Sequence, residues 1–164
     1  TSPSYYIQVI KMQLISRDTP LAEITLRKYE KPHKMDQREL VRKLCLSTGL
    51  LQPGDSRDIV VDILHVLLTA KRDKKPVSSQ EVRDLVITAR KENDLPMVGI
   101  ADSNIRRQLK RLREMFLVEK VKNKYRINEH DSLSNIFSER IEQYLLQTVI
   151  ARIRDYLGKI DEKF

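Results

Sequence analysis

Apolar residues recur at spacings of three and four through most of the chain and alternate in only one short region. The pattern therefore predicts helices with a single small hairpin. Residues 5–15 allow two readings: Tyr6, Val9, Ile10 and Leu14 share one helical face, Ile7 and Val9 suit a strand, and helix is favoured. Thr19-Pro20 supplies a hydroxyl cap and a proline at the first helical position, opening a helix over residues 21–31 that Pro32 stops. Asp36 and Glu39 have capping-box spacing, and Leu40, Val41, Leu44 and Cys45 give the next helix its apolar face as far as Gly49. Pro53-Gly54 marks a turn. Ser56 then opens a helix to about Lys71 that is apolar nearly all round, leaving Asp62, His65 and Thr69 as a polar strip. Such a helix is buried on several sides. Ser78 or Ser79 caps another, through about Lys91, with Val82, Leu85, Val86 and Ala89 inward.

After a turn at residues 95–101, Asp102 or Ser103 caps a helix whose stripe is Ile105, Leu109, Leu112 and Phe116. Arg106, Arg107, Lys110, Arg111 and Arg113 fall on the remaining face, with Glu114 among them. A helix anchored along one side and cationic on the other suits a polyanionic groove. Two short β-rich runs follow, at residues 118–121 and 125–127, around Lys122-Asn123-Lys124. Three helices and then a hairpin is the order of a winged helix-turn-helix, a mainly α fold. Its third helix enters the B-DNA major groove, which is roughly 12 Å wide. The DNA-contact candidates are Ser103, Asn104, Arg106, Arg107, Lys110, Arg111, Lys122 and Lys124. Asn104, Arg106 and Arg107 lie near the helix start, where side chains reach base edges. Lys110, Arg111 and Arg113 sit where phosphates are met. Asn123 is read as a conformational choice for a tight turn.

Charge sharpens this picture. The chain of 164 residues has 31 Lys+Arg and 23 Asp+Glu, a net of +8. Residues 71–126 hold 16 basic and 8 acidic side chains, and the rest of the chain balances at 15 of each. The excess is thus confined to the segment predicted to bind a polyanion. Aromatic residues make up only 5% of the chain, which argues against a base-stacking platform for single strands. A single cysteine, Cys45, cannot form an internal disulfide and points to a reducing compartment. Its place in an apolar pattern makes it a small hydrophobe rather than a nucleophile. His33, His65 and His130 are scattered, no glycine-rich phosphate loop or nucleophile motif occurs, and neither an enzyme, a metal nor a cofactor is expected. Without an export signal or a membrane span, the expectation is a cytoplasmic, nucleoid-associated protein.

Residues 132–160 predict a long helix whose apolar positions change face. Leu133, Phe137, Ile141 and Tyr144 form one stripe; Leu146, Ile150, Ile153, Leu157 and Ile160 form another. Two faces imply two partners. The first is the chain's own domain, and the second is the same helix of another subunit, with Leu146, Ile150, Ile153 and Leu157 at the dimer interface. The competing reading packs this second face on the N-terminal helices.

The run DSNIRRQLKRLREMFLVEKVKNKYRI from Asp102 to Ile127 resembles winged-helix transcriptional regulators: a basic helix, then Leu-Val-Glu-Lys, a turn, and Tyr-Arg-Ile. Together with ISRDTPL from Ile15 and LLQPGDSR from Leu50, the chain is similar to a family of poorly characterised archaeal predicted regulators. Such proteins often carry a glycine between helix and wing, where this chain has Met115-Phe116. The division expected is an N-terminal helical extension (1–54), the DNA-binding domain (55–129) and a C-terminal dimerisation helix (130–164). The expected function is sequence-specific double-stranded DNA binding by a homodimeric transcriptional regulator, with no effector named by the sequence. The alternative is a winged-helix protein-interaction or chromosome-organising module without an operator.

Overall fold

The most apolar helix of the sequence is the hub around which the other elements pack. In the computed structural model, which describes residues 18–164, the elements are α1 (Gln37–Ser47), α2 (Ile59–Arg72), α3 (Ser79–Glu92), α4 (Asp102–Glu114), β1 (Val118–Val121) and β2 (Lys124–Ile127). A long helix follows, here α5. It runs unbroken through Leu133–Ile136, Phe137–Leu145 and Leu146–Lys163, and its middle stretch has i→i+5 hydrogen bonding. The chain is thus mainly helical, with one small antiparallel sheet and a long C-terminal helix. The segment at residues 5–15 lies outside the described residues. Among the described residues no helix is long and apolar enough to cross a membrane.

Helix α2 buries Ile59, Val60, Val61, Ile63, Leu64, Val66 and Leu67 and packs against α1, α3, α4 and β2. Each such side chain, fully buried, is worth about 1.5–3 kcal/mol, so the all-round apolar pattern makes this helix the centre of the core. It begins at Ile59, three residues beyond Ser56. Two of the expected caps form. The Asp36 carboxylate accepts from the Glu39 N–H at 2.7 Å, and the Ser78 hydroxyl accepts from the Glu81 N–H at 3.1 Å. On α1, Val41, Cys45 and Leu46 are buried whereas Leu40 is exposed. On α3, Val82 and Val86 are buried but Leu85 points to solvent, and Arg90 takes an inward position at the helix end.

Residues 21–31 form no helix. They run as a strap across the end of α1. The Arg27 N–H donates to the Ser47 carbonyl at 2.8 Å, and its guanidinium donates to the Leu46 carbonyl at 2.9 Å and to Gln52 Oε1 at 2.8 Å. Lys43 bonds the strap twice, pairing with Glu30 at 2.8 Å and lying 5.0 Å from the centre of the Tyr29 ring. A helix of this length is marginal on its own, and local capping gives way to tertiary contacts that an extended chain can make. The strap passes so close to Gly49 (φ +77°) that a Cβ there would lie 2.7 Å from Thr25 Cβ. Gly49→Ala is therefore expected to cost at least about 1–2 kcal/mol from the left-handed backbone alone, with the Thr25 clash added. Chemical denaturation checks this, and an unchanged midpoint would show that the strap does not seat in solution.

In the sheet, Val118 pairs with Ile127 and Lys120 with Tyr125. A two-residue turn, Lys122-Asn123, joins the strands with both residues left-handed (φ 51° and 64°), the geometry that matches strand twist. Val77 adds a bridge on the other edge of β2, exchanging N–H···O bonds with Tyr125 at 2.9 and 2.7 Å. Helix α4 ends before the stripe does. Phe116 lies beyond it in the left-handed conformation (φ 62°). There the Phe116 N–H donates to the Arg113 carbonyl and the Leu117 N–H to the Leu112 carbonyl, so Phe116 fills the place glycine usually takes at a helix end. Its ring meets Tyr144 of α5 edge-on, with centroids 6.4 Å apart.

Candidate nucleic-acid interface

The angle at which α4 is presented depends on a buried ion cluster. Asp58 and Asp62, at the start of α2, face Arg38 of α1 and Arg90 of α3. Arg90 reaches Asp62 at 2.6 Å and Asp58 at 3.0 Å, and Arg38 reaches Asp58 at 2.8 Å and Asp62 at 3.0 Å. The Arg90 and Asp62 side chains are each 2% exposed. Arg90 also donates to the Pro96 carbonyl at 2.7 Å, which ties the α3–α4 turn to the hub helix. A second brace on this turn is Arg83, which donates to the Ile100 carbonyl at 2.7 Å. Burial pushes the Asp58 carboxyl upward, but the hydrogen bonds from Arg38 and Arg90 outweigh it and hold the group below the usual carboxylate range. Cys45 is fully buried nearby. Burial pushes its thiol up to about 12, which leaves it protonated and inert.

Helix α4 starts at Asp102 with Ala101 in the cap position, so neither Asp102 nor Ser103 serves as the side-chain cap. The end of the helix is fastened by Asn104, whose amide donates to the Gly99 carbonyl at 2.7 Å. Ile105, Leu109 and Leu112 are buried against the core. On the rest of its circumference Ser103, Arg106, Arg107, Lys110 and Arg113 are exposed.

The eight residues predicted as DNA contacts divide by what already holds them. Asn104 is half-buried and engaged: besides Gly99 it accepts from Arg107 at 2.7 Å and from Gln108 at 3.3 Å. It acts as a brace for the helix start and for Arg107. Arg111 is likewise half-buried, donating to the Leu50 carbonyl at 2.8 Å, the Gly49 carbonyl at 3.2 Å and Gln108 at 2.8 Å. It pins the α1–α2 connection. Arg106, Lys122 and Lys124, together with Arg113, are exposed and form no ion pair or side-chain hydrogen bond among the described residues. Lys110 has only a loose pair with Glu114 at 4.0 Å.

Arg106, Lys110 and Arg113 follow one another at helical spacing, and the last two open onto a groove of about 470 Å³ between α4 and β1. Lys120 lines its far wall, with Glu114 and Glu119 also present. Lys120 lies over the buried Tyr125 ring, 5.5 Å from its centre, so Tyr125 is a core cover with a cation above it. Arg126, on the opposite face of β2, pairs with Glu119 at 2.6 Å. A second cleft, beside the start of α4, has both Arg107 and Arg57 among its walls. Sequence reasoning passed over Lys120 and Arg57. Strand alternation gives a cue for Lys120, but Arg57 has none because it arrives through a contact between distant segments.

The positive excess of residues 71–126 is not all on this face. Arg90 is buried in the ion cluster. By the antiparallel bridge at Val77, the basic segment at residues 71–75, which spans the end of α2, lies toward Ile127, away from the Lys122-Asn123 turn. What gathers at α4 and the hairpin is Arg106, Lys110, Arg113, Lys120, Lys122 and Lys124.

The two stripes of α5 have different fates. Of the first, Ile141 is buried and Leu133 packs against the core, joined by the buried Ile136, while Tyr144 is exposed; no residue of Leu146–Lys163 is buried. Leu146 and Ile150 are half-exposed, and Ile153 and Leu157 are each 53% exposed. No family model, curated protein or solved structure matches the chain.

Proposed function

We propose that the α2–α3–α4–hairpin unit is a winged helix-turn-helix and that the protein is a transcriptional regulator acting on double-stranded DNA in the nucleoid. It does so as a homodimer with sequence preference. The observation that carries the reading is the outer surface of α4: Arg106, Lys110 and Arg113 stand exposed to one side of the buried Ile105, Leu109 and Leu112, beside a hairpin that ends in Lys122 and Lys124. An arginine with uncommitted donors can pair bidentately with a guanine edge, and lysines at a hairpin tip suit phosphates. The braces on the α3–α4 turn hold this face in a fixed pose, which direct readout requires. The Val77 bridge gives the hairpin its third strand contact.

The test is duplex binding across a salt series. Log affinity should fall steeply and linearly with log salt, and Lys122→Ala and Lys124→Ala should each flatten the slope by about one unit. An unchanged slope in both variants would remove the hairpin from the interface. Absence of duplex binding at low salt would overturn the proposal in favour of a protein-interaction module, which Glu114 and Glu119 in the α4–β1 groove would suit.

A further inference from the structure

We propose that Leu146–Lys163 of α5 pairs with the same stretch of a second copy, parallel and in register. The inference takes the homodimer from the reading above and adds which face meets, in which direction, and through which residues.

Leu146, Ile150, Ile153, Leu157, Ile160 and Phe164 follow one another at spacings of 4, 3, 4, 3 and 4. These are two positions of an unbroken seven-residue repeat, the seam of a coiled coil. From Ile153 on, the described chain leaves it largely open: Ile153, Leu157 and Ile160 are 53%, 53% and 51% exposed, and every residue from Ala151 onward is exposed. The preceding i→i+5 stretch under-winds the helix, so the second apolar ridge starts afresh at Leu146 rather than continuing the buried one through Ile141. Asp18–Ala22 border an open cleft on one flank, with Thr148, Val149, Arg152, Ile153 and Tyr156. Of the ridge only Ile153 is among its walls; Leu146, Ile150, Leu157 and Ile160 are not.

Direction follows from the residues flanking the seam. In a parallel, in-register pair Val149 lies beside Arg154 of the other helix and Tyr156 beside Asp161, and no like charges meet. An antiparallel pair that overlaps the same six seam residues sets Arg154 against its own copy across the two-fold axis, with Val149 beside Lys163. Flanking charges decide orientation in such helix pairs, and here they favour the parallel one. The stretch of 18 residues is about 27 Å long, enough for two and a half repeats. A parallel pair also keeps both α4–hairpin units at the same end of the two helices. Tyr144, two residues before the seam, meets Phe116 edge-on and so links the pair to the end of α4.

Disulfide trapping tests this without DNA. Leu157→Cys and Ile150→Cys should each cross-link with themselves to a covalent dimer under mild oxidation, while Arg152→Cys on the outer face should not. Cys45, fully buried, stays silent as background. Light scattering of the intact chain should give the mass of a dimer. Cross-linking of Leu157→Cys only to Ile153→Cys in a mixture would overturn the direction. A tetrameric mass would overturn the two-helix pairing, since leucine and isoleucine at these seam positions also admit larger bundles. A monomeric mass with Leu157→Cys shielded from a thiol reagent would assign the ridge to residues 1–17 of the same chain and overturn the proposal outright. Because both readouts are DNA-free, their failure leaves the salt-series result standing, and a failed salt series leaves the pairing standing.

Discussion

Asp62→Ala is expected to cost about 3–5 kcal/mol of folding free energy. Asp62 and Arg90 are the two partners of a 2.6 Å ion pair, each with 2% of its side chain exposed. Removing the carboxylate strands a guanidinium in the core with Asp58 and the Pro96 carbonyl as its remaining acceptors. The exchange also frees Arg38 on one side, so α1, α2 and α3 lose a shared tie. Denaturant unfolding measures the loss. The double variant Asp62→Leu with Arg90→Met should recover much of it, because a buried pair replaced by apolar side chains of similar volume is often neutral or better. A single variant within about 0.5 kcal/mol of the parent would show that the cluster is solvated in solution. Acid gives a second readout. The Asp58 carboxyl lies below its ordinary value in the fold, so its contribution is complete above the unfolded value of about 4. That contribution is lost as the pH falls through the lower folded value. Asp58→Asn should therefore flatten the fall in stability below about pH 4.

That cluster shows where the sequence was legible and where it was not. Periodicity located α2, α3, α4 and the hairpin because each buries a continuous apolar surface, and capping chemistry marked one start at Asp36 and narrowed another to Ser78 or Ser79, of which Ser78 forms the cap. The same reasoning took Asp62 for part of a polar strip, since a buried carboxylate and a solvated one look alike in a row of letters. What distinguishes them is Arg90, 28 residues away. The strap at residues 21–31 failed as a helix for a related reason: its conformation is set by carbonyls of Leu46 and Ser47 that only the folded chain brings near. In the candidate interface, helical spacing set out the residues of α4 that lie off its buried stripe. It could not tell an uncommitted polar side chain from one already spent on its own protein, so Asn104 and Arg111 read the same as Arg106. The hydrogen bonds separate them. Charge counting had a similar blind spot, because it assigned Arg90 and the 71–75 segment to the same surface as Lys122.

The separation makes the sharpest functional prediction. Arg106→Ala should weaken binding to the preferred duplex by about 1–3 kcal/mol, or roughly five- to 150-fold, with a much smaller loss on random duplex. Arg106 stands exposed in the first turns of α4, on the flank of the stripe that begins at Ile105, and no side chain of the described protein engages it. All its donors are thus open to a base edge. Arg107, held at 2.7 Å by Asn104, gives up a bond to reach out, so its truncation should cost less. Arg111→Ala should behave differently again. It releases the Gly49 and Leu50 carbonyls, so its loss should appear first in unfolding midpoints and only secondarily in affinity. Titrations of the three variants on selected and random duplexes, each beside an unfolding curve, separate these outcomes. Equal losses for Arg106→Ala on both duplexes would make it a phosphate contact and leave base reading to the cleft that Arg107 and Arg57 both line. No loss on either would take α4 out of the groove altogether.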